Sequence, residues 1–182
     1  SDLADYEVTK DKIQNKAYYN LQLTEKFFGL LTLEKFMTSA PLDLRIFKTI
    51  LYQIIDVLYE INNVYSNFRY NQLLPKKIDC YLKKLPDGEL LPEIKLSNFY
   101  LAEIPGTVDN KYVKNLELPP IYHPYFDLYT FFNYIYHAHT NDITKHPELV
   151  QFFDKYLPFV LRSTSTNYLN QEIWDNLSDE QK

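Results

Sequence analysis

The chain has 182 residues, 46% hydrophobic and 24% charged, with a net charge of −5 and a pI near 5.4. That is enough for one domain with a substantial core, and the acidic balance argues against a broad nucleic-acid-binding face, which is normally basic. Gly29, Gly88 and Gly106 lie too far apart for a phosphate-cradling or dinucleotide-binding loop, the single Cys80 excludes an internal disulfide, and no apolar run reaches the roughly 18 residues needed to span a bilayer.

Residues 1–9 are polar. Residues 10–28 read as a helix with Tyr18, Leu21 and Leu23 among its apolar positions, and Gly29 suits its stop. Residues 33–37 read as a short helix. The clearest helix spans 41–62, where Phe47, Ile50, Leu51, Ile54, Leu58 and Ile61 recur at spacings of three and four and share one face. Ile46, Ile55 and Val57 widen that face and predict deep burial. Pro41 suits the first turn, and Ser39 lies close enough to cap it. Residues 63–77 read as a loop turning around Pro75. Residues 78–82 alternate like a strand, Pro86-Asp87-Gly88 signals a turn, and residues 93–96 form a second strand, so 78–96 is a hairpin. Residues 103–122 are proline-bearing and irregular. Residues 124–137 form a very aromatic helix, apolar nearly all round, which marks a core helix. Residues 147–156 are another helix and 171–177 a last short one. The order predicts a mainly α chain with a small β-hairpin: an N-terminal segment and helix over 1–30, then one domain over 31–182.

Three stretches in this order resemble the C-terminal lobe of protein kinases. Phe68-Arg69-Tyr70-Asn71-Gln72-Leu73-Leu74-Pro75-Lys76-Lys77-Ile78 is similar to the catalytic loop, especially the form F-R-H-N-D-L-H-P-G-N-I in kinase-like proteins of large DNA viruses. Ile94-Lys95-Leu96-Ser97-Asn98-Phe99-Tyr100-Leu101-Ala102 resembles the metal-binding strand and turn, I-I-D-F-G-L-A. Pro124-Tyr125-Phe126-Asp127-Leu128-Tyr129-Thr130-Phe131 resembles the start of the lobe's central helix. The resemblance covers about residues 31–161.

Phosphoryl transfer needs a carboxylate to orient the attacking hydroxyl, and an Asp and an Asn to hold Mg²⁺ against the phosphates. The resemblance puts neutral Gln72 at the base position, the cation Lys77 at the metal-binding Asn position, and Asn98 at the metal-binding Asp position, followed by Tyr100 in place of glycine. Tyr70 replaces the histidine that packs beneath the loop. About 30 residues precede the matched part, without a glycine-rich strand loop or a strand lysine, so the N-terminal lobe is expected to be absent or minimal. Asp127 matches the aspartate that accepts hydrogen bonds from the catalytic-loop backbone. Its bland alternative is a first-turn helix acid.

Other candidates carry less chemistry. His123, His137, His139 and His146 do not make a zinc set by spacing, and read as surface histidines. Cys80 sits on a strand with no neighbouring base. Asp87, Glu89 and Glu93 read as a solvated cluster around a turn. Lys76, Lys77, Lys83 and Lys84 could form a local basic patch. Lys76 and Lys77 are either solvated or an anion contact that stands in for Mg²⁺, open to an acidic partner segment. The aromatics Tyr125, Phe126, Tyr129, Phe131, Phe132, Tyr134 and Tyr136 are mostly core, and any exposed surplus favours a protein interface.

The reading is a catalytically inactive kinase-like protein without metal, cofactor, membrane or nucleic-acid partner, acting through another protein. The viral flavour of the loop points to a viral structural or host-interacting protein, in the virion or inside an infected cell. The alternative is a divergent phosphotransferase, or a nucleotide-binding module completed by a partner.

Overall fold

The computed structural model describes residues 31–39, 41–113, 125–157, 159 and 162. The readings at 10–28 and 171–177, and His123, lie outside them. The described part is mainly α with a small antiparallel sheet, in the order β1 (Leu31–Thr32), α1 (Leu33–Ser39), α2 (Leu44–Val64), a 3₁₀ turn (Pro75–Lys77), β2 (Ile78–Lys84), β3 (Leu90–Leu96), a second 3₁₀ turn (Phe99–Leu101), α3 (Phe126–Ala138), α4 (Thr140–Ile143) and α5 (Pro147–Tyr156).

The long helix starts three residues later than its apolar spacing suggests. Its N-cap is Asp43, whose side chain accepts the Ile46 N–H at 2.8 Å. An Asp here satisfies one of the unpaired first-turn donors. Ser39 does not cap it; its hydroxyl donates to Lys35 C=O at 2.7 Å and closes α1 instead. Phe47, Ile50, Leu51, Ile54 and Leu58 are buried as the three-and-four spacing requires. The helix is not deeply buried, however. Ile55 is 37% exposed, and Tyr52 and Tyr59 on the outer side are 67% and 63% exposed. The face is therefore one-sided, and Ile55 falls beyond its edge.

The hairpin is longer than alternation alone shows. β2 and β3 pair antiparallel from Ile78↔Leu96 to Lys84↔Leu90. The Pro86-Asp87-Gly88 turn closes through Leu85 N–H to Glu89 C=O (2.7 Å) and Gly88 N–H to Leu85 C=O (2.9 Å). Gly88 has φ +89°, a conformation that costs glycine little. A third strand joins on the other side of β2, with Leu31↔Cys80 and Thr32↔Asp79. Among the described residues β3 is thus an edge strand. Gln53 of α2 covers part of that edge: its amide donates to Pro92 C=O (2.8 Å) and accepts the Ile94 N–H (2.9 Å). A side-chain amide here supplies the hydrogen bonds a further strand would make, which limits edge-to-edge pairing.

The core forms where these elements meet. Leu33, Phe47, Ile54, Leu73, Ile78, Phe131, Ile135, Ile143, Phe153 and Leu157 are fully covered. α3 is a core helix as its composition predicts, with Phe126, Phe131, Phe132 and Ile135 buried and Tyr125 left 56% exposed. Phe132 and Phe153 meet edge to face at 6.0 Å, and Phe152 and Phe153 at 5.4 Å. Such pairs contribute about 0.5–1.5 kcal/mol each beyond the area they bury.

Candidate functional site

The site grows from the loop between α2 and β2. After α2 ends, the chain reaches Asn67 at φ 70° and Asn71 at φ 65°. Asn tolerates this left-handed region better than most residues because its short polar side chain bonds locally. Between them, Arg69 forms an isolated antiparallel bridge with Glu103. Arg69 N–H donates to Glu103 C=O and Glu103 N–H to Arg69 C=O, both at 2.9 Å. The Asn71 amide donates to Leu101 C=O (2.9 Å) and to the Glu103 carboxylate (3.2 Å). The loop is thereby fastened to the segment after β3. That segment is itself braced by Asn110, whose amide donates to Tyr100 C=O at 2.7 Å and Ala102 C=O at 3.2 Å.

Asp127, in the first turn of α3, ties the third element in. Its carboxylate accepts the Tyr70 N–H at 2.7 Å and the Asn71 N–H at 2.9 Å, one on each oxygen. These are the hydrogen bonds the kinase resemblance assigns to this residue, bridging 57 and 56 positions of sequence. Asp127 is 5% exposed. Burial pushes its pKa up to about 6, against the two backbone donors and the positive charge of Arg69, which favour the ionised form. Arg69, 6% exposed, lies over the Phe126 ring at 5.3 Å. A carboxylate without such partners would be costly at this depth.

Tyr70 is buried. Its hydroxyl donates to Ser97 C=O, and its ring meets Phe99 edge to face at 5.4 Å. Burial first, then the Asp79 and Asp127 charges, push its phenol up to about 12, so it acts as a donor. Ser97 in turn donates to Asp79. Because Ile78 pairs with Leu96, Lys77 and Asn98 flank the same open end of the hairpin. Gln72 sits two residues beyond Tyr70, half-buried, its C=O accepting the Leu74 N–H at 2.7 Å. The structure therefore brings the neighbourhoods of Gln72, Lys77 and Asn98 to one end of the sheet. Asn98 is exposed at φ 58° and makes no side-chain cap to the following turn.

Lys76 and Lys77 close the 3₁₀ turn and are exposed. Neither has an ion pair among the described residues, whereas Arg45, Lys48, Lys83, Lys145 and Arg162 each do. Lys83 and Lys84 stand at the far end of β2, about 20 Å away at the rise of a strand. The four lysines are thus two separate pairs, not one patch. The turn acids are partnered too: Glu89 pairs with Arg45, Glu93 with Lys83 at 3.3 Å, and Asp87 accepts the Glu89 N–H at 3.0 Å.

His139 is buried, against the surface reading, and meets Phe47 edge to face at 6.3 Å. Burial lowers its basicity, against the opposing charge of Asp142. Among the described residues no three His, Cys, Asp or Glu side chains gather as a metal site. Cys80 is buried on β2, and burial pushes its thiol up to about 11. An open groove of about 710 Å³ lies along the start of α2, lined by Asp43, Arg45, Lys48, Tyr52, Gln53 and His146. No residue of the open end of the hairpin lines it, and both its strong cations are already paired, Arg45 with Glu89 and Lys48 with Glu148.

Motif reading did not single out Arg69, Asn71, Glu103 or Asn110 as fasteners of the site. Arg69 and Asn71 lay inside the quoted loop, while Glu103 and Asn110 sat in a stretch that read only as irregular.

No family model and no solved structure matches the chain. An uncharacterized protein of Acanthamoeba polyphaga mimivirus, R402, is 40% identical over 186 residues. The match takes in 100% of this chain and 23% of that protein, so the chain spans about a quarter of the length of the curated relative it matches. This similarity suggests a viral origin. Among the described residues, no helix is long and apolar enough to cross a membrane.

Proposed function

We propose that this chain is a kinase-like C-terminal lobe that has lost the machinery of phosphoryl transfer and acts by binding another protein. One observation carries the reading: the buried Asp127 carboxylate holds the backbone of Tyr70 and Asn71, in the loop that resembles the catalytic loop. A link between a helix start and a loop 56 residues earlier has no local cause, and it supports the alignment of the loop. With the loop so aligned, the base position is Gln72. An amide cannot take up the proton of an attacking hydroxyl as a carboxylate does. At the metal positions stand Lys77, a cation that repels Mg²⁺, and Asn98, a neutral amide. No carboxylate lies between Tyr70 and Lys77 to replace the base.

The 40% identity to a mimivirus protein supports placing this role in a large DNA virus, as a structural or host-directed component of the virion or the infected cell. The test is incubation with γ-labelled ATP, Mg²⁺ and general acceptor proteins. The reading predicts no label transfer above that of the Asp127→Ala variant. Mg²⁺-dependent transfer that disappears in that variant would sink it.

A further inference from the structure

We infer that the open end of the hairpin is a docking surface for an acidic protein segment bearing an aromatic or aliphatic anchor. The inference rests on the proposed reading of the chain as a binding protein and names the kind of partner.

Two features meet there. The first is positive charge. Lys76 and Lys77 are exposed and adjacent, and no carboxylate of the described residues pairs with them, although the chain as a whole is acidic. Lys111 adds a third cation, lying over the Tyr112 ring at 5.1 Å. The second is apolar surface. Phe99, Tyr100 and Tyr112 are 47%, 59% and 44% exposed. Single exposed aromatics are ordinary, but Tyr100 and Tyr112 stack on each other and Phe99 directly precedes Tyr100, so the three make a patch.

The patch is held in shape from beneath. Tyr100 and Tyr112 stack at 5.0 Å, and Phe99 rests edge-on against both Phe68 (6.4 Å) and Tyr70 (5.4 Å). Asn110 pins the Tyr112 segment to Tyr100 C=O, and Tyr70 pins the start of the turn at Ser97. Pre-ordered aromatics lose little freedom on binding, which is what an interface centre needs. The cations beside them supply steering and register for a negatively charged partner.

An acidic protein segment fits better than single-stranded nucleic acid. Nucleic acid would take the same cations and would stack bases on free ring faces. Here Tyr100 and Tyr112 already cover one face of each other, Phe99 packs against Phe68 and Tyr70, and the net charge of −5 repels a long polyanion.

The experiment is selection of a phage-displayed random peptide library on the full chain. Enriched peptides are then synthesised, and their binding is followed by fluorescence anisotropy alongside that of an oligothymidylate. The expected result is enriched peptides with net negative charge and an aromatic or aliphatic anchor, bound about tenfold or more weakly by Lys76→Glu/Lys77→Glu and by Tyr100→Ala. Lys76 and Lys77 are exposed and without an ion pair among the described residues, so their variants should keep the wild-type unfolding temperature, while Tyr100→Ala should lose no more than its stack on Tyr112 contributes. Lys76→Gln/Lys77→Gln, which removes charge without reversing it, should give a smaller loss in the same direction. No enrichment, peptides without acidic character, affinity indifferent to these variants, or tight binding of the oligothymidylate instead would overturn the inference. Each of those outcomes leaves the loss of phosphoryl transfer standing, because that reading is tested with ATP and does not depend on peptide binding.

Discussion

Replacing Asp127 by alanine removes the acceptor of two buried backbone donors, the N–H groups of Tyr70 and Asn71. A buried donor left without a partner costs about 1–3 kcal/mol, so the two together cost about 2–6 kcal/mol. Part of this is offset, because the variant no longer buries a carboxyl group whose pKa burial has raised to about 6. The net expectation is a loss of about 2–4 kcal/mol, a large share of a typical domain's stability. Asp127→Asn is the sharper variant. Its carbonyl can serve one N–H, but its NH₂ group faces the other, donor against donor, so it should lose less than alanine yet stay well below wild type. Urea unfolding followed by far-UV circular dichroism measures both, through the midpoint at constant slope. The pH dependence adds an independent check. The folded-state pKa lies above the ordinary 3.8, so the folded chain holds this proton more tightly than the unfolded one. The resulting contribution is fully present below pH 3.8 and is lost as pH rises through about 6. The advantage of wild type over Asp127→Asn should therefore be larger near pH 4 than near pH 7. A loss below about 1 kcal/mol for Asp127→Ala, or a wild-type midpoint for Asp127→Asn, would refute the view that this carboxylate holds the loop.

Other perturbations separate the remaining parts. Gln53→Ala should cost about 1–3 kcal/mol in the same urea assay, since it strips two hydrogen bonds from the edge of β3; an unchanged midpoint would show that the edge is satisfied without it. Tyr70→Phe keeps the ring against Phe99 but loses the bond to Ser97. It should cost about 0.5–1.5 kcal/mol and speed hydrogen exchange in residues 97–102, and an unaltered exchange pattern there would count against the fastening role. Cys80 should resist an aromatic disulfide reagent at pH 8 until the chain is unfolded, because its thiol is buried and its acidity displaced to about 11. Rapid reaction of the folded protein would place Cys80 at the surface.

Much of the fold was legible in residue spacing, and the gaps have identifiable causes. The buried stripe of α2 follows directly from apolar residues at three and four, because those positions share a helix face. Its extent did not, since Ile55 is apolar yet 37% exposed, and spacing says nothing about where a neighbour ends. The cap was missed because Ser39, Pro41 and Asp43 all carry N-terminal preferences, and only the geometry shows that Ser39 closes α1. The hairpin was visible from Pro86-Asp87-Gly88 between alternating runs, but a two-residue strand such as Leu31–Thr32 has no period to detect. Its existence depends on the edge that β2 offers.

The candidate site was legible only in part. The resemblance singled out Asp127 with a partner, and the hydrogen bonds to Tyr70 and Asn71 are there. Asn98 lies 21 residues beyond Lys77 in sequence, and it is the Ile78↔Leu96 register that brings the two to one end. Fasteners such as Glu103 and Asn110 act through backbone carbonyls and long-range bridges, for which composition and spacing carry no signal.

Thermal unfolding with and without ATP, each with and without Mg²⁺, tests the proposed loss of the phosphoryl-transfer machinery most directly, because any ligand bound by the native state raises its apparent stability. If Lys77 and Asn98 stand at the metal positions, as proposed, adding Mg²⁺ together with ATP should leave the unfolding temperature where it stands without them. A rise with ATP alone that Lys77→Gln abolishes would show a metal-free anion site at that lysine and leave the central claim intact. A rise that requires ATP and Mg²⁺ together would contradict it.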